Sequence, residues 1–214
     1  MSEAILEQIT ENLIKGQAPV VKELVQKAID DGVDAEEILN KGLVAGMSVI
    51  GDRFKRNEVY IPEVLIAARA MNAGMELVKP LLKQAGVKAK GTVCCATVKG
   101  DLHDIGKNLV CMMLEGAGYE VVDLGVNCDA EKFIQGVQDS NADAIGMSAL
   151  LTTTMTNMKT TIDAFAEAGL RDKVKIMVGG APLTQNFADE IGADGYSPDA
   201  ASAVDLLDSL LGLA

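Results

Sequence analysis

The chain contains a single histidine, His103, and this residue is the clearest starting point for chemistry. It lies in the segment Gly-Asp-Leu-His-Asp-Ile-Gly-Lys-Asn, which covers residues 100–108. A neutral imidazole can bind a metal through one ring nitrogen while a carboxylate accepts a hydrogen bond from the other. Asp101 stands two residues before the histidine and is the candidate carboxylate. Such a pair on a loop is most often only a surface hydrogen bond, so the surrounding elements must decide its role.

The segments on either side of His103 predict a loop between a strand and a helix. Residues 91–98 form a compact, mostly apolar, β-prone run, and a helix-like apolar pattern begins over residues 109–114. Loops of this kind are where open α/β sheets bind their ligands. The histidine therefore occupies a position typical of a binding site.

The sequence after residue 90 alternates between short apolar runs and amphipathic segments. This β-α repetition predicts a parallel sheet with helices on both faces. Five strands suit a doubly wound, Rossmann-like order of the flavodoxin type. The predicted strands cover residues 91–98, 120–125, 143–149, 174–178 and 193–196, and the predicted helices cover residues 104–117, 130–139, 154–168, 184–191 and 199–212.

Residues 1–82 show helical periodicity and predict a four-helix bundle with short connections. Gly16 and Gly32 mark the ends of the first two helices. An acidic capping pair begins the third helix at Asp34, and Pro62 suits the first turn of the fourth. The fold class is therefore α/β, with a helical bundle ahead of the sheet.

Two further features concern the helical part and its end. Gly42 and Gly46 lie one turn apart in the third predicted helix, where glycine costs about 1 kcal/mol relative to alanine. We interpret the pair as a close helix crossing rather than a ligand contact. Residues 83–90 are short, basic and without a strong apolar period, so they predict a linker between a helical domain at 1–82 and an α/β domain at 91–214.

Composition and charge exclude several classes of function. The formal net charge of −12 argues against non-specific nucleic-acid binding, which requires a basic surface. No apolar run approaches the roughly 20 residues that cross a bilayer, and the N-terminus lacks a signal-peptide pattern. We therefore expect a cytoplasmic protein that is not bound to a membrane. The four cysteines form no Cys-x-x-Cys pair, so we expect reduced, mostly buried thiols rather than a zinc site.

The loops that follow the predicted strands should meet at one edge of the sheet and form one site. Small and hydroxyl side chains collect there beside the imidazole, since glycine lets a backbone approach a ligand and hydroxyls donate to its polar atoms. Asp104 is interpreted mainly as a cap for the following helix. The candidate contact residues are Gly100, Asp101, Leu102, His103, Asp104, Ile105 and Gly106 after the first strand, Ser148, Leu150 and Thr152 after the third, Gly179, Gly180 and Ala181 after the fourth, and Tyr196 and Ala200 around the fifth.

Three pieces of this edge resemble the signature of cobalamin-binding domains that bind the cofactor with its own base displaced. The pieces match that signature in order and spacing, and they are Asp101-x-His103-x-x-Gly106, Ser148-x-Leu150 and Gly179-Gly180. A helical bundle ahead of such a domain resembles the corrinoid proteins of methyltransferase systems and the matching half of cobalamin-dependent methionine synthase. The resemblance covers nearly the whole chain.

The resemblance implies a role for each candidate residue. His103 would replace the dimethylbenzimidazole of the cofactor as the lower axial ligand to cobalt, a metal that imidazole suits. Asp101 would accept a hydrogen bond from the other ring nitrogen, and Ser148 would extend that chain and assist proton uptake when cobalt changes oxidation state. Residues 196–200 would close the far end of a slot for the displaced nucleotide tail. The slot itself would be shaped by Gly100, Gly106, Leu150, Thr152, Gly179 and Gly180.

The resemblance also implies that the helical bundle caps the upper face of the corrin. Leu65, Met71 and Met75 of the fourth predicted helix would enclose a methyl group on cobalt without coordinating it. Equally, a methionine stripe at helical spacing is typical of a plain core. A partner must reach the same face of cobalt, so the cap would have to move, with residues 83–90 as the hinge.

The implied function is that of a methyl-carrying corrinoid protein. It would accept a methyl group on cobalt from a substrate-specific methyltransferase and hand it to a second methyltransferase that uses an acceptor of the tetrahydrofolate or coenzyme M type. A reductive activation protein would be a further partner. The cofactor would be methylcobalamin or a related corrinoid in the His-on form, and the chain alone would catalyse no reaction because the cofactor supplies the difficult chemistry.

Three other interpretations remain. The small cobalamin-binding subunit of an adenosylcobalamin mutase shares the histidine loop, but it usually lacks a helical domain like residues 1–82. A cobalamin-sensing regulator or photoreceptor would carry an added DNA-binding or signalling segment. A phosphoacceptor receiver domain shares the fold, but it would have its key aspartate where this chain has Ser148, and it would leave His103 and the Gly179-Gly180 pair unexplained.

Overall fold

The computed structural model describes residues 2–213, which form two compact units. The helical unit contains the chain up to Lys90 together with Glu115–Gly118. The sheet unit contains Gly91–Leu114 and the chain from Tyr119 onward. Within residues 2–213, no helix has the length and apolar character needed to cross a membrane.

The helical unit confirms the predicted all-helical region. Its elements are α1 (Ser2–Ile14), α2 (Ala18–Asp30), α3 (Ala35–Glu37), a π-helical segment (Ile38–Val44), α4 (Ala45–Lys55) and α5 (Ile61–Ala85). The third predicted helix thus consists of α3, the π-helical segment and α4 in succession. The Thr10 hydroxyl of α1 lies 3.1 Å from the Lys41 carbonyl oxygen and 2.9 Å from that of Gly42. It therefore donates a hydrogen bond to the backbone of the π-helical segment.

Close helix crossings account for three glycines inside the helices of this unit. A Cβ added at Gly46 would lie 2.8 Å from Leu13 Cδ2, and one added at Gly42 would lie 3.2 Å from Ile9 Cγ2. Both neighbours are side chains of α1, so the predicted close crossing is confirmed. Gly74 of α5 has the same role, because its added Cβ would lie 2.7 Å from Leu43 Cδ2.

Helix α5 is longer than the sequence predicted. It contains Pro80 in its interior and ends at Ala85, where Gly86 takes a left-handed backbone conformation with φ 70°. Its last three residues therefore lie inside the predicted linker 83–90. The helix stops at Gly86 because a left-handed residue ends the helical geometry, and glycine adopts that conformation without steric cost.

The sheet unit confirms the predicted five-stranded parallel sheet. Its strands are β1 (Thr92–Val98), β2 (Glu120–Cys128), β3 (Ala144–Ser148), β4 (Lys175–Gly179) and β5 (Gly195–Ser197), arranged in the order β2-β1-β3-β4-β5 with parallel pairing throughout. Its helices are α6 (Ile105–Gly116), α7 (Ala130–Ser140), α8 (Thr156–Glu167), α9 (Gln185–Ile191) and α10 (Ala200–Leu210).

This strand order locates the binding edge. Strand β2 pairs with one side of β1 and β3 pairs with the other side. The order in which strands are added to the sheet therefore reverses at β1. Ligands of doubly wound sheets bind beyond the carboxyl ends of the strands at such a switch point. The loops after β1 and β3 are therefore the expected walls of the site.

The packed interior of the sheet unit holds apolar residues and thiols. Phe133 of α7 and Phe165 of α8 are fully buried in the cluster on one side of the sheet. The four cysteines are buried free thiols, as the sequence predicted. Burial raises the pKa of the Cys94 and Cys128 thiols, which favours their neutral form.

Strand β2 is longer and less regular than predicted. It pairs in register with β1 from Glu120 to Asp123 and then shifts twice, so that Ala96 lies opposite Gly125 and Val98 opposite Cys128. Gly125 and Asn127 have positive φ angles of 90° and 53°. Extra residues of this kind are β-bulges, which twist a strand locally and reorient its side chains.

Candidate functional site

The loop between β1 and α6 carries His103 at the carboxyl edge of the sheet. The histidine side chain is 53% exposed, and its Nδ1 lies 2.7 Å from Asp101 Oδ1. The backbone N–H of His103 donates to the same oxygen at 3.1 Å. Because an ionised carboxylate only accepts hydrogen bonds, the proton of the neutral ring belongs on Nδ1. The lone pair of Nε2 is then available to a metal.

Asp101 is fully buried and is held by the loop after β3. Its Oδ2 accepts hydrogen bonds from the backbone N–H groups of Leu150 at 2.8 Å and Leu151 at 3.2 Å, and from the Thr154 hydroxyl at 2.6 Å. Burial opposes ionisation, but the bonds from Thr154, Leu150 and His103 outweigh it and hold the pKa of Asp101 well below its usual value. Asp101 is therefore a carboxylate, despite its burial.

The hydroxyl that extends the histidine–carboxylate pair belongs to Thr154. The resemblance predicts Ser148 in this position, but Ser148 is the last residue of β3, where its backbone pairs opposite Thr97 and Gly179. The turn after β3 brings Thr154 back to the buried carboxylate, and the Thr154 N–H donates to the Leu151 carbonyl at 3.0 Å. Residues 152–154 are three consecutive threonines, and the turn places the hydroxyl of Thr154 against the carboxylate.

Two other side chains that the sequence did not suggest hold the histidine loop in place. The buried Thr97 hydroxyl donates to the His103 carbonyl at 2.8 Å. The Asn157 side-chain amide donates to the Lys99 carbonyl at 2.9 Å. Hydrogen bonds from β1 and from α8 therefore both hold the loop.

The glycines of the edge serve different purposes. Gly180 has φ 133°, and an added Cβ would lie only 1.9 Å from the Ala149 carbonyl oxygen, so the approach of two loops requires glycine. At Gly179 the added Cβ would lie 3.2 Å from the Ser197 carbonyl oxygen. At Gly106, by contrast, no atom lies within 4 Å of the added Cβ. Packing within the chain does not require glycine there, and the missing side chain leaves open space beside the histidine loop.

Large apolar side chains at the loops after β1 and β3 are exposed. Leu102 is 70% exposed, Ile105 is 74% exposed and Leu150 is 44% exposed. Leu151 is exposed next to them. Exposed apolar side chains at the two loops that carry His103 and the partners of Asp101 are typical of a surface that a ligand covers.

The other predicted contact residues are spread around this edge. Thr152 and Ala181 are exposed, and Asp104, also exposed, accepts a 3.2 Å hydrogen bond from the Asn108 side chain at the start of α6. Tyr196 is half-buried in β5, and Ala200 is buried as the first residue of α10. The structure therefore brings the loops after β1 and β3 into direct hydrogen-bonded contact through Asp101.

The predicted cap residues differ in exposure. Leu65 is 42% exposed and Met75 is half-buried, but Met71 is only 2% exposed. Met71 lies on α5, which packs along α2. The structure thus gives Met71 the alternative role of core residue, because its position on the helix encloses the side chain.

The fold and the site together define a class of protein. A doubly wound α/β domain presents one histidine at its switch point, with Nδ1 held by a buried carboxylate and with open space at Gly106 beside the loop. This is the arrangement of a binding domain for a metal-containing ligand with an apolar face.

Comparison with protein-family models identifies the particular family. A B12 binding domain model matches residues 91–205, and a second B12 binding domain model matches residues 5–79. The chain therefore belongs to the B12-binding family.

Similar proteins cover the chain almost from end to end. A corrinoid protein of Desulfitobacterium hafniense is 42% identical over 98% of each chain. The dimethylamine corrinoid protein of Methanosarcina barkeri is 44% identical over 94% of this chain and 95% of its own. Among solved structures, the methanol:cobalamin methyltransferase complex MtaBC from the same organism matches with a TM-score of 0.87 and 33% identity, over 99% of this chain and 81% of that one.

Proposed function

We propose that this chain is a methyl-carrying corrinoid protein of a methyltransferase system. The observation that carries the proposal is the hydrogen-bonded chain from Thr154 through Asp101 to His103, which leaves Nε2 available at the exposed edge. The similarity to corrinoid proteins of methylamine and methanol systems supports it. Adenosylcobalamin mutase subunits usually lack a helical domain, and residues 5–79 match a family model of their own.

The residues at the edge fit a corrinoid. His103 would serve as the lower axial ligand in the His-on form, while the exposed Leu102, Ile105 and Leu150 would lie against the apolar parts of the macrocycle. The open space at Gly106 would admit the displaced nucleotide tail. When bound, the corrinoid supplies cobalt that accepts and releases a methyl group.

The hydrogen bonds around Asp101 hold the histidine in place in either protonation state of the carboxyl group. The Thr154 hydroxyl lies 2.6 Å from Asp101 Oδ2 and 2.9 Å from the Leu151 carbonyl oxygen, but it has one proton to donate. With Asp101 ionised, the hydroxyl donates to the carboxylate. With Asp101 protonated, the hydroxyl would instead donate to the Leu151 carbonyl and accept a hydrogen bond from the protonated carboxyl. Protonation of Asp101 would therefore leave no polar group of this cluster unpaired.

The proposed partners follow from the methyl-carrier role. One methyltransferase would load the methyl group from its substrate, and a second would move it to an acceptor of the tetrahydrofolate or coenzyme M type. A reductive activation protein would restore the active oxidation state of the corrinoid. We propose residues 1–82 as the cap domain, 83–90 as the linker and 91–214 as the cobalamin-binding domain.

A ligation experiment tests the axial role. The chain is loaded with hydroxocobalamin, reduced to the cobalt(II) state and examined by visible and electron paramagnetic resonance spectroscopy. We expect nitrogen hyperfine splitting from one protein imidazole, its loss in His103→Gly, and its return on addition of free imidazole. An identical spectrum for the wild type and the variant would refute the axial role.

A transfer experiment tests the carrier role. The loaded chain is mixed with methyltransferases for methylamines and methanol, one at a time, each with its methyl donor. We expect conversion of the corrinoid spectrum with one of these enzymes and loss of conversion with His103→Gly. Retention of an adenosyl group in preference to methyl would instead favour the mutase interpretation.

A further inference from the structure

The irregular end of strand β2 contacts the histidine loop directly. Residue Asn127 sits at the second bulge of this edge strand, with φ 53°. Its side-chain Oδ1 accepts a hydrogen bond from the Gly100 N–H at 2.7 Å. Its backbone N–H donates to the Asp101 carbonyl at 3.0 Å. One residue therefore holds two consecutive residues of the loop, through its side chain and its main chain.

The residue type at position 127 matches both tasks. Asparagine adopts the left-handed conformation more readily than most residues, and its side chain offers a carbonyl oxygen as acceptor. The left-handed turn at Asn127 directs its N–H and its side chain toward the same loop. A regular strand alternates its side chains between the two faces and could not do this.

Asp101 is consequently held from two directions. Its carboxylate is fixed by Leu150, Leu151 and Thr154 of the loop after β3. Its main chain is fixed by Asn127 of β2. The orientation of the Asp101 carboxylate toward the imidazole of His103 depends on both sets of bonds. If only one set were present, the side chain of Asp101 could still rotate relative to its backbone.

Strand β2 also holds the far side of the loop. The Lys107 side chain is 3% exposed, and its Nζ lies 2.5 Å from Asp123 Oδ2 of β2. The other oxygen of Asp123 accepts a hydrogen bond from the Gly125 N–H at the first bulge, at 2.8 Å. Strand β2 therefore contacts both ends of the segment that contains His103, through Asn127 at Gly100 and through Asp123 at Lys107.

We propose that Asn127 is a positioning residue for His103. By holding Gly100 and Asp101, it sets the orientation in which Asp101 accepts a hydrogen bond from the Nδ1–H group, and it thereby keeps Nε2 free for a ligand. The claim about the ring does not depend on the cofactor, whereas its consequence for cobalt ligation rests on the proposed function. Nothing in the family comparison assigns position 127.

The test uses the apo chain without a histidine tag. Because His103 is the only histidine, ¹⁵N NMR of the imidazole at a pH where the ring is neutral reports one tautomer ratio. We expect the Nδ1–H form to dominate in the wild type. Asn127→Gly keeps the left-handed backbone but removes the acceptor, so the ratio should fall about fivefold, the factor that one ordinary hydrogen bond supplies. Asn127→Asp keeps the acceptor and should restore the ratio.

Asn141 provides the matched control. It also adopts φ 52°, at the end of α7, and its side chain makes no hydrogen bond within the described residues. Asn141→Gly should therefore leave the tautomer ratio unchanged. If Asn127→Gly does not fold, the tautomer ratio is measured in Asn127→Ser instead. The shorter serine side chain does not reach Gly100, so the same fall in the ratio is expected.

Two outcomes overturn the proposal. One is a wild-type ratio in Asn127→Gly, and the other is an equal change in Asn141→Gly, which would indicate general loosening. Failure of Asn127→Asp to restore the ratio would count against it as well. The cobalt(II) hyperfine signal is measured in parallel. A changed tautomer ratio with no nitrogen splitting in the loaded wild type would leave the positioning role standing and would reject the axial role of His103.

Discussion

The helical unit and the carboxyl edge of the sheet are built from different kinds of contact. In the helical unit the contacts at the interior glycines are apolar, with Leu43 packed against Gly74 and Leu13 against Gly46. At the edge the contacts are hydrogen bonds, and they converge on Asp101. Apolar contacts respond mainly to volume, whereas hydrogen bonds also respond to angle.

This difference separates stability from site geometry. A change in the helical unit should alter the free energy of unfolding and leave the imidazole where it is. A change at the edge should alter the imidazole even where the free energy of unfolding changes little. The variants below test that separation, beginning with the one expected to have the largest effect.

Gly180→Ala should be the most damaging change at the edge. Its Cβ would lie 1.9 Å from a backbone oxygen, at a φ of 133° that only glycine adopts readily. We expect a loss of more than about 3 kcal/mol in the free energy of unfolding, measured by urea denaturation.

Gly106→Ala is the matched control for that variant. Its Cβ would meet no atom within 4 Å, so stability should stay within about 0.5 kcal/mol of the wild type while corrinoid binding weakens. Equal stability losses in the two variants would show that the glycines of this edge have one common role, contrary to the structure.

Thr154→Val removes the hydroxyl that donates to Asp101 and keeps the shape of the side chain. We expect a loss of about 1.5 kcal/mol, because a hydrogen bond to a buried carboxylate is stronger than one between neutral groups. Ser148→Ala should change stability by less than about 0.5 kcal/mol, since the Ser148 hydroxyl makes no hydrogen bond within the described residues. If Ser148→Ala lost more stability than Thr154→Val in urea denaturation, Ser148 rather than Thr154 would be the hydroxyl that supports Asp101.

Gly74→Ala tests the helical unit. Overpacking against Leu43 costs about 1–3 kcal/mol, and the better helix propensity of alanine offsets about 1 kcal/mol of this. We expect a net loss of about 1 kcal/mol with an unchanged His103 tautomer ratio. Combining the change with Leu43→Ala should make the two losses less than additive, because the shorter side chain removes the clash. A shifted tautomer ratio would contradict the separation.

The acid range tests the ionised state of Asp101 directly. The folded chain lowers the pKa of Asp101, so the unfolded chain takes up that proton first as the pH falls. The resulting stabilisation is complete above about pH 4, the ordinary range of an aspartate, and is lost as the pH falls toward the folded value. Asp101→Asn should therefore make stability of the cofactor-free chain depend less on pH below 4. An unchanged slope would mean that Asp101 is not the carboxylate responsible.

Much of the fold could be predicted because its signals are local. Apolar periodicity located the helices and strands, and His103 with Asp101 could be singled out two residues apart on one loop. Helix α5 extends past residue 82 because the stop is supplied by the left-handed Gly86, three residues beyond the start of the predicted linker. Strand β2 exceeded its predicted end because bulges interrupt the alternation on which such a prediction depends.

The sequence by itself determined the class of fold and the pair at the centre of the site. The tertiary structure alone decided which groups hold that pair, namely Thr154, Thr97, Asn157 and Asn127. The physical reason is that a hydrogen bond requires a particular distance and angle between groups that are far apart in the chain. Spacing along the sequence reports which residues are available at an edge. Only the turns and bulges that aim them determine which of them donate and accept.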